Sequence, residues 1–167
     1  MLNLKKVSVN DDTSSICNLA TTIWKEHYAK VLGTDQANYM ASKFQSLSVI
    51  KQQISDKNEF YVIEKSGKDI GYLAYQVRDS ILFIDKIYLL NEFRGQSTGS
   101  FCLNFIETKA GENNYLSLTL KVEQRNIQAI KTFKKWGFKI TESITRDIGN
   151  GFTLKGYLMI RAMSIPN

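Results

Sequence analysis

The sequence predicts an α/β fold built on a mixed, mostly antiparallel central sheet of about seven strands with helices on both faces. Three observations carry this. The chain has 167 residues, 43% hydrophobic and 23% charged, the length and balance of one globular domain with a sizeable core. Its apolar pattern switches between alternation and helical period several times, so strands and helices are interleaved. Short polar turns separate the three central strand-like runs, as in an antiparallel meander.

Taken in order, Leu2, Leu4, Val7 and Val9 form a first strand, and Asn10-Asp11-Asp12 offers side-chain oxygens to cap a helix. Ile16, Leu19, Ala20 and Ile23 then recur at i, i+3, i+4 and i+7, a helix expected to run out near Tyr28, before Gly33. Weaker periodicity over 35–56 (Tyr39, Met40, Lys43, Phe44, then Val49, Ile50, Ile54) predicts two short helices. The meander is Phe60 to Glu64, Ile70 to Val77 and Ile81 to Leu90, joined at Ser66-Gly67-Lys68-Asp69 and Arg78-Asp79-Ser80. From Gly99 the period returns to helical, with Cys102, Phe105, Ile106 and Lys109 on one side, until Gly111 is expected to stop it. Tyr115 to Val122 reads as a strand. Asn126 to Trp136 reads as a helix with Ile127, Ile130 and Phe133 inward and Gly137 as its C-terminal cap. Ile140 to Ile148 and Phe152 to Ile160 form a hairpin around Gly149-Asn150-Gly151, whose Asn-Gly pair is a strong turn signal. No linker or repeat interrupts residues 1–167, and the only proline, Pro166, lies in the tail.

The formal net charge is +6, which favours an anionic partner and leaves nucleic acid, a membrane surface and a phosphorylated cofactor open. Its location narrows the choice. Residues 1–66 carry a net +1 and residues 67–167 a net +5, while Lys121 to Lys139 alone holds Lys121, Arg125, Lys131, Lys134, Lys135 and Lys139 against Glu123. A solvated helix face is the plain alternative for such a run. Two distant cysteines and one histidine give no metal spacing and no disulfide framework, so Cys17 and Cys102 are expected as small buried hydrophobes. The N-terminus lacks a signal-peptide core, and no run approaches the roughly 18 apolar residues of a membrane span. A soluble, cytoplasmic setting without membrane association is expected.

The segment that points to chemistry is Ile84 to Ser100, where a strand enters a loop of small residues that opens a helix. Successive backbone N–H groups in such a loop, with the positive end of the helix, suit a pyrophosphate, and Gly95 and Gly99 allow close backbone approach. A plain strand-to-helix turn can hold two glycines as well. Arg94-Gly95-Gln96-Ser97-Thr98-Gly99, however, resembles the acyl-CoA loop of the GNAT superfamily of N-acetyltransferases, Gln/Arg-x-x-Gly-x-Gly/Ala, with Ser97 in place of the first signature glycine. Asn126, Ala129, Phe133 and Gly137-Phe138 are similar to a second family pattern, Asn-x-x-Ala-x-x-x-Tyr-x-x-x-Gly-Phe. The resemblance covers essentially the whole chain and is strongest from Phe60 to Phe138. More narrowly, Trp24, His27 and Tyr28, the long N-terminal helical region and the C-terminal hairpin are similar to bacterial polyamine acetyltransferases of the Pai type.

The resemblance implies the GNAT fold, with the fourth and fifth strands splayed, and acetyl-CoA as cosubstrate without a metal. Ile87, Tyr88 and Leu89 would present backbone groups to the pantetheine arm. Backbone from Gly95 through Gln96, Ser97, Thr98 and Gly99 to Ser100, opened by Arg94, would hold the pyrophosphate. Asn126 would bond the pantetheine, and Lys131, Lys134 or Lys135 could reach the 3′-phosphate as point charges. The Leu89 N–H would serve the oxyanion. The family's thiolate-protonating tyrosine maps to Phe133, which cannot donate a proton, and a glutamate base of amino-terminal acetyltransferases maps to Lys121. Base candidates are therefore Asp85 and His27. Asp85 reads equally as a sheet-face ion-pair partner and His27 as helix-end packing. Glu26, His27 and Tyr28 are expected to line the acceptor pocket, and a polyamine would need local acid from Glu26, Asp35, Glu59 and Asp85.

Three functions follow. One is acetyl transfer from acetyl-CoA to a primary amine of a small molecule, polyamine or lysine-like acceptor, by direct attack in a ternary complex. Another is a catalytically weak acyl-CoA-binding module with a sensing or protein-interaction role. The third, nucleic-acid binding, predicts interleaved exposed aromatics and a broad basic face, whereas the basic cluster is confined to one helical unit. The resemblance leaves a homodimer open.

Overall fold

A computed structural model describes residues 1–164; Pro166 lies outside them. Seven strands, β1 Leu2–Val7, β2 Glu59–Lys65, β3 Lys68–Arg78, β4 Ile81–Leu89, β5 Ser117–Glu123, β6 Lys139–Gly149 and β7 Phe152–Ala162, form one sheet in the order β1-β2-β3-β4-β5-β7-β6. β1 with β2, β2 with β3, β5 with β7 and β6 with β7 are antiparallel. β4 and β5 are parallel, Ile81 to Ile84 against Ser117 to Leu120, and the described pairing ends there. A parallel pair needs a long crossover, supplied here by the helix Thr98–Glu112. The expected mixed, mostly antiparallel α/β sheet is the one observed.

The chain divides into two compact units, Met1–Gln76 with Lys86–Glu107, and Val77–Asp85 with Thr108–Asn167. In the first, α1 Ser14–Ile23 passes through a π-helical stretch, Trp24–Tyr28, into α2 Ala29–Leu32; α3 Thr34–Phe44 and α4 Leu47–Ser55 follow. Phe60, Tyr61, Val62 and Ile63 on β2 are consecutively buried. A strand buried at successive positions is covered on both faces. The Ile16 and Ile23 stripe of α1, Ile50 of α4 and Ile106 of the crossover helix are all fully buried in this unit. Tyr72 donates to Gln45 Oε1 at 2.9 Å, satisfying a hydroxyl in that core.

In the second unit, α6 Ile127–Lys135 follows β5. It closes at Gly137 (φ +91), where the Gly137 N–H donates to the Lys134 carbonyl and the Phe138 N–H to the Phe133 carbonyl, both at 3.0 Å. That bond pair is a Schellman cap, completed by Phe138 against Phe133 at 5.9 Å. Gly149, Asn150 and Gly151 all have positive φ and join β6 to β7.

Several expectations are corrected. The first helical run does not stop near Tyr28; it continues through the π-helical stretch to Leu32, and Gly33 (φ +87) ends it. Gly111 does not stop the crossover helix, which we number α5 and which reaches Glu112, because Gly111 sits in helical backbone and the positive φ falls on Asn114. Val9 lies beyond β1 and is 59% exposed, and Ile127 is 56% exposed, not inward. Cys102 is buried, whereas Cys17 is only half-buried. The α1 cap is Thr13 without a side-chain bond, although Asp12 Oδ1 accepts from the Ser14 N–H at 2.9 Å.

Candidate active site

In the first unit the site is built on the end of β4. Ile87 and Tyr88 are half-buried and Leu89 is buried. A short 3-10 turn, Asn91–Phe93, leads into the loop. Gly95 (φ +70) and Ser97 (φ +64) both lie in the left-handed region, so the residue that replaces a signature glycine bears the strain expected of a side chain there, about 1–2 kcal/mol. The Phe101 N–H already donates to the Ser97 carbonyl, so the N–H groups of Thr98, Gly99 and Ser100 belong to the first turn of α5 and have no intrahelical acceptor. Thr98 is fully buried and its Oγ1 has no partner. Gln96 reaches away, donating to the Glu92 carbonyl at 2.9 Å and accepting from Lys65 at 2.8 Å.

Arg94 turns inward. Its Nε and Nη2 donate to the Leu89 carbonyl at 3.2 and 3.0 Å, and its Nη1 meets His27 Nδ1 at 2.8 Å. Around it lies an aromatic cluster that sequence reasoning did not assemble. Trp24 stacks on Tyr28 at 4.2 Å, while Tyr88 meets Trp24, Tyr28 and Tyr72 edge-on at 5.8, 6.1 and 5.3 Å. His27 packs edge-on to Tyr28 at 4.8 Å. The Trp24 indole N–H is buried without a hydrogen-bond partner. A surface depression of about 520 Å3 opens beside this cluster, lined by Thr22, Lys25, Glu26 and Lys30 and by Leu90 to Glu92. Of the acidic residues considered for an acceptor pocket in this unit, Glu26 lines the depression. Glu59 instead pairs with Lys6 at 3.0 Å, and Asp35 lies in the first turn of α3.

In the second unit Asp85 is half-buried on β4. The parallel register places Phe83 beside Thr119, and the Lys121 ammonium lies 5.9 Å from the Phe83 ring centre, so Phe83, Asp85, Lys121 and Glu123 share one face of the pair. On that face the sequence reading did not single out Glu123. It is buried, its Oε1 accepts from Arg125 Nε at 2.8 Å and its Oε2 has no partner. Asn126, also buried, heads α6 without a capping bond from its side chain. Lys131, Lys134 and Lys135 are exposed. Phe133 packs edge-on against Trp136 and Phe138.

Taken unit by unit, the unpartnered Thr98 hydroxyl and the first-turn N–H groups of the first unit have the chemistry to meet a diphosphate. In the second unit the buried Asn126 amide can bond an amide, and the exposed lysines of α6 can meet a phosphate. A family model for the acetyltransferase (GNAT) family matches residues 17–138. The chain belongs to that family. Solved structures share the GNAT fold. PaiA N-acetyltransferase from Thermoplasma acidophilum, in complex with coenzyme A, superposes with a TM-score of 0.80 at 17% identity, over 98% of this chain and 99% of that one. A GCN5-related N-acetyltransferase from Rhodopseudomonas palustris gives 0.80 at 19% identity over 96% and 95%. The ribosomal-protein-S18-alanine N-acetyltransferase from Escherichia coli gives 0.75 at 14% over 100% and 97%.

As a GNAT acetyltransferase the chain uses acetyl-CoA as its cosubstrate. Among the described residues, no helix is long and apolar enough to cross a membrane, and no group of three or more His, Cys, Asp or Glu side chains could hold a metal ion.

Proposed function

We propose that this GNAT enzyme transfers the acetyl group of acetyl-CoA to a primary amine of a small molecule, polyamine or lysine-like acceptor, by direct attack in a ternary complex. The observation that carries the reading is the loop from Gly95 to Ser100, where a fully buried, unpartnered Thr98 hydroxyl stands at the start of α5. Loop backbone would hold the pyrophosphate, with the strand end Ile87 to Leu89 and Asn126 serving the pantetheine arm. Lys131 or Lys134 would meet the 3′-phosphate. The Leu89 N–H would stabilise the developing oxyanion. Asp85 would take the proton as the amine nitrogen bonds to the acetyl carbon and the carbon–sulfur bond breaks. His27 is the weaker base candidate, since an arginine only donates and the His27 Nδ1 lone pair is therefore engaged by Arg94. No hydroxyl at Phe133 protonates the leaving thiolate, which favours a second reading, a catalytically weak acyl-CoA-binding module.

Calorimetry with acetyl-CoA and a duplex oligonucleotide, followed by free-thiol release over a panel of amines, tests both readings. Micromolar acetyl-CoA binding with thiol release on one amine class is expected for the enzyme. Binding without release across the panel would establish the second reading, and loss of acetyl-CoA binding would sink both. Asp85→Ala should lower kcat/KM by about 100-fold or more if it is the base.

A further inference from the structure

The Leu89–Leu90 peptide is gripped from both sides. Its N–H, on Leu90, donates to the Ile70 carbonyl at 2.9 Å. Its carbonyl, on Leu89, accepts two bonds from Arg94, and the remaining terminal nitrogen of that guanidinium bonds His27. On the neighbouring strand Gly71 lies so close that a Cβ there would stand 2.2 Å from the Tyr88 carbonyl oxygen and 3.2 Å from Leu89 Cα. Arginine has no acceptor, so His27 Nδ1 must be the unprotonated nitrogen of the contact and Nε2 carries the hydrogen. Among the described residues Arg94 has no carboxylate partner. Burial pushes its guanidinium below the ordinary arginine value, with Tyr28 and Glu26 acting in the opposite direction. A half-buried cation spent on a backbone carbonyl and an imidazole is a costly arrangement for a loop that could otherwise point the same group at a phosphate.

We propose that Arg94 is a positioning residue for acetyl transfer, whose side chain fixes the Leu89 peptide and the His27 ring in one arrangement instead of binding phosphate. This rests on the reading that the end of β4 presents its backbone to the thioester. Through Arg94, the first residue of the loop is tied to the helical segment Trp24–Tyr28, so the strand end, the loop and that segment are held as a unit. Lysine does not replace it, because a single ammonium cannot bridge a carbonyl and an imidazole in the geometry of a planar fork.

The test compares wild type with Arg94→Lys and Arg94→Gln, each checked by thermal melting. The dissociation constant of acetyl-CoA, by calorimetry, should stay within about 3-fold, while kcat on a responsive amine falls by about 10- to 100-fold in both variants, as expected when the geometry at the reacting centre is loosened. The chain has one histidine, so 15N NMR of the imidazole reads His27 without ambiguity. Wild type should show one protonated and one unprotonated ring nitrogen, the Nε2–H tautomer, and each folded variant should show tautomer mixing. A loss of acetyl-CoA affinity of about 10-fold or more with kcat unchanged would make Arg94 a phosphate ligand and overturn the proposal. An unchanged His27 spectrum in the folded variants would overturn it too. If wild type acetylates no amine, the transfer reading fails on that arm, and the NMR arm still decides whether Arg94 sets the imidazole.

Discussion

Gly71 offers a prediction whose size can be worked from geometry. A methyl group added there would lie 2.2 Å from the Tyr88 carbonyl oxygen and 2.9 Å from Leu89 Cδ2, against ordinary contacts of 3.4–4 Å. Relief therefore requires about 1.2 Å of separation between β3 and the end of β4, and because the nearest atom is backbone, no rotamer change supplies it. Overpacking of this kind costs about 1–3 kcal/mol, and the backbone clash places Gly71→Ala near 3 kcal/mol. For a chain of this size each kcal/mol shifts Tm by about 2–4 °C, so a fall of about 6–12 °C is expected by calorimetric or circular-dichroism melting. Gly111→Ala is the matched control. Gly111 is helical with nothing within 4 Å of an added Cβ, so alanine's better helix propensity should raise Tm by up to about 2–4 °C. A Gly71→Ala protein melting within 2 °C of wild type, or moving in the same direction as Gly111→Ala, would refute the reasoning.

Cys102, whose thiol burial pushes up to about 12, should resist a disulfide reagent at pH 8 until the protein unfolds, whereas half-buried Cys17 reacts first; equal rates for the two would contradict this. Burial alone would raise the Asp69 carboxyl, but hydrogen bonds from Lys5 at 2.7 Å and Ser15 at 2.6 Å outweigh it and hold the group below its ordinary value. Its contribution is therefore present above the ordinary carboxylate range and lost as pH falls through the depressed value. The stability gap between wild type and Asp69→Asn should be about 1 kcal/mol at pH 7 and close on acidification below about pH 4, and a gap independent of pH would count against the assignment. Phe133→Tyr, which supplies a hydroxyl at the position to which the family resemblance assigns the proton donor, should raise kcat by about 10-fold with Tm little changed; an unaltered kcat would show that thiolate protonation does not limit turnover.

Much of the architecture was legible because local signals and the fold agree. The β6–β7 turn at Asn150-Gly151 and the Gly137 cap each needed positive φ, and the residues that tolerate it stand there. Glycine misled at 111, where it adopts helical φ and is merely a weak helix residue. The π-helical stretch was invisible, because its hydrogen-bond shift by one residue leaves no compositional trace in Trp24 to Tyr28. Around the candidate site, the passage from β4 through a loop into α5 was readable from the small residues between strand and helix. The Arg94–His27 contact spans 67 residues, and neither side chain announces the other. Glu123 escaped for a similar reason: β5 carries it in an alternating pattern beside Lys121 and Arg125, where a charged residue looks solvent-bound, and only tertiary packing buries it. The charge argument pointed to the exposed Lys131, Lys134 and Lys135, but it had no means of finding Lys86, a cation buried within the core 5.9 Å from the Phe60 ring centre.

The turn from Trp24 to Tyr28 also bears on how this helix can change over time. Its wider hydrogen-bonded ring accommodates one residue more than the α-turn it replaces. Removing a single residue within it would let the segment relax to regular α geometry with its two flanks in nearly the same phase, because the wider turn absorbs the extra residue over about the same rotation. The same deletion in the regular turns of α1 would rotate one side by about 100° relative to the other and carry Ile16 or Ile23 out of the packing. The segment is therefore where this helical run best tolerates the loss of a residue, and a deletion at its exposed positions, Lys25 or Glu26, should be less damaging than one at the exposed Thr21 of α1.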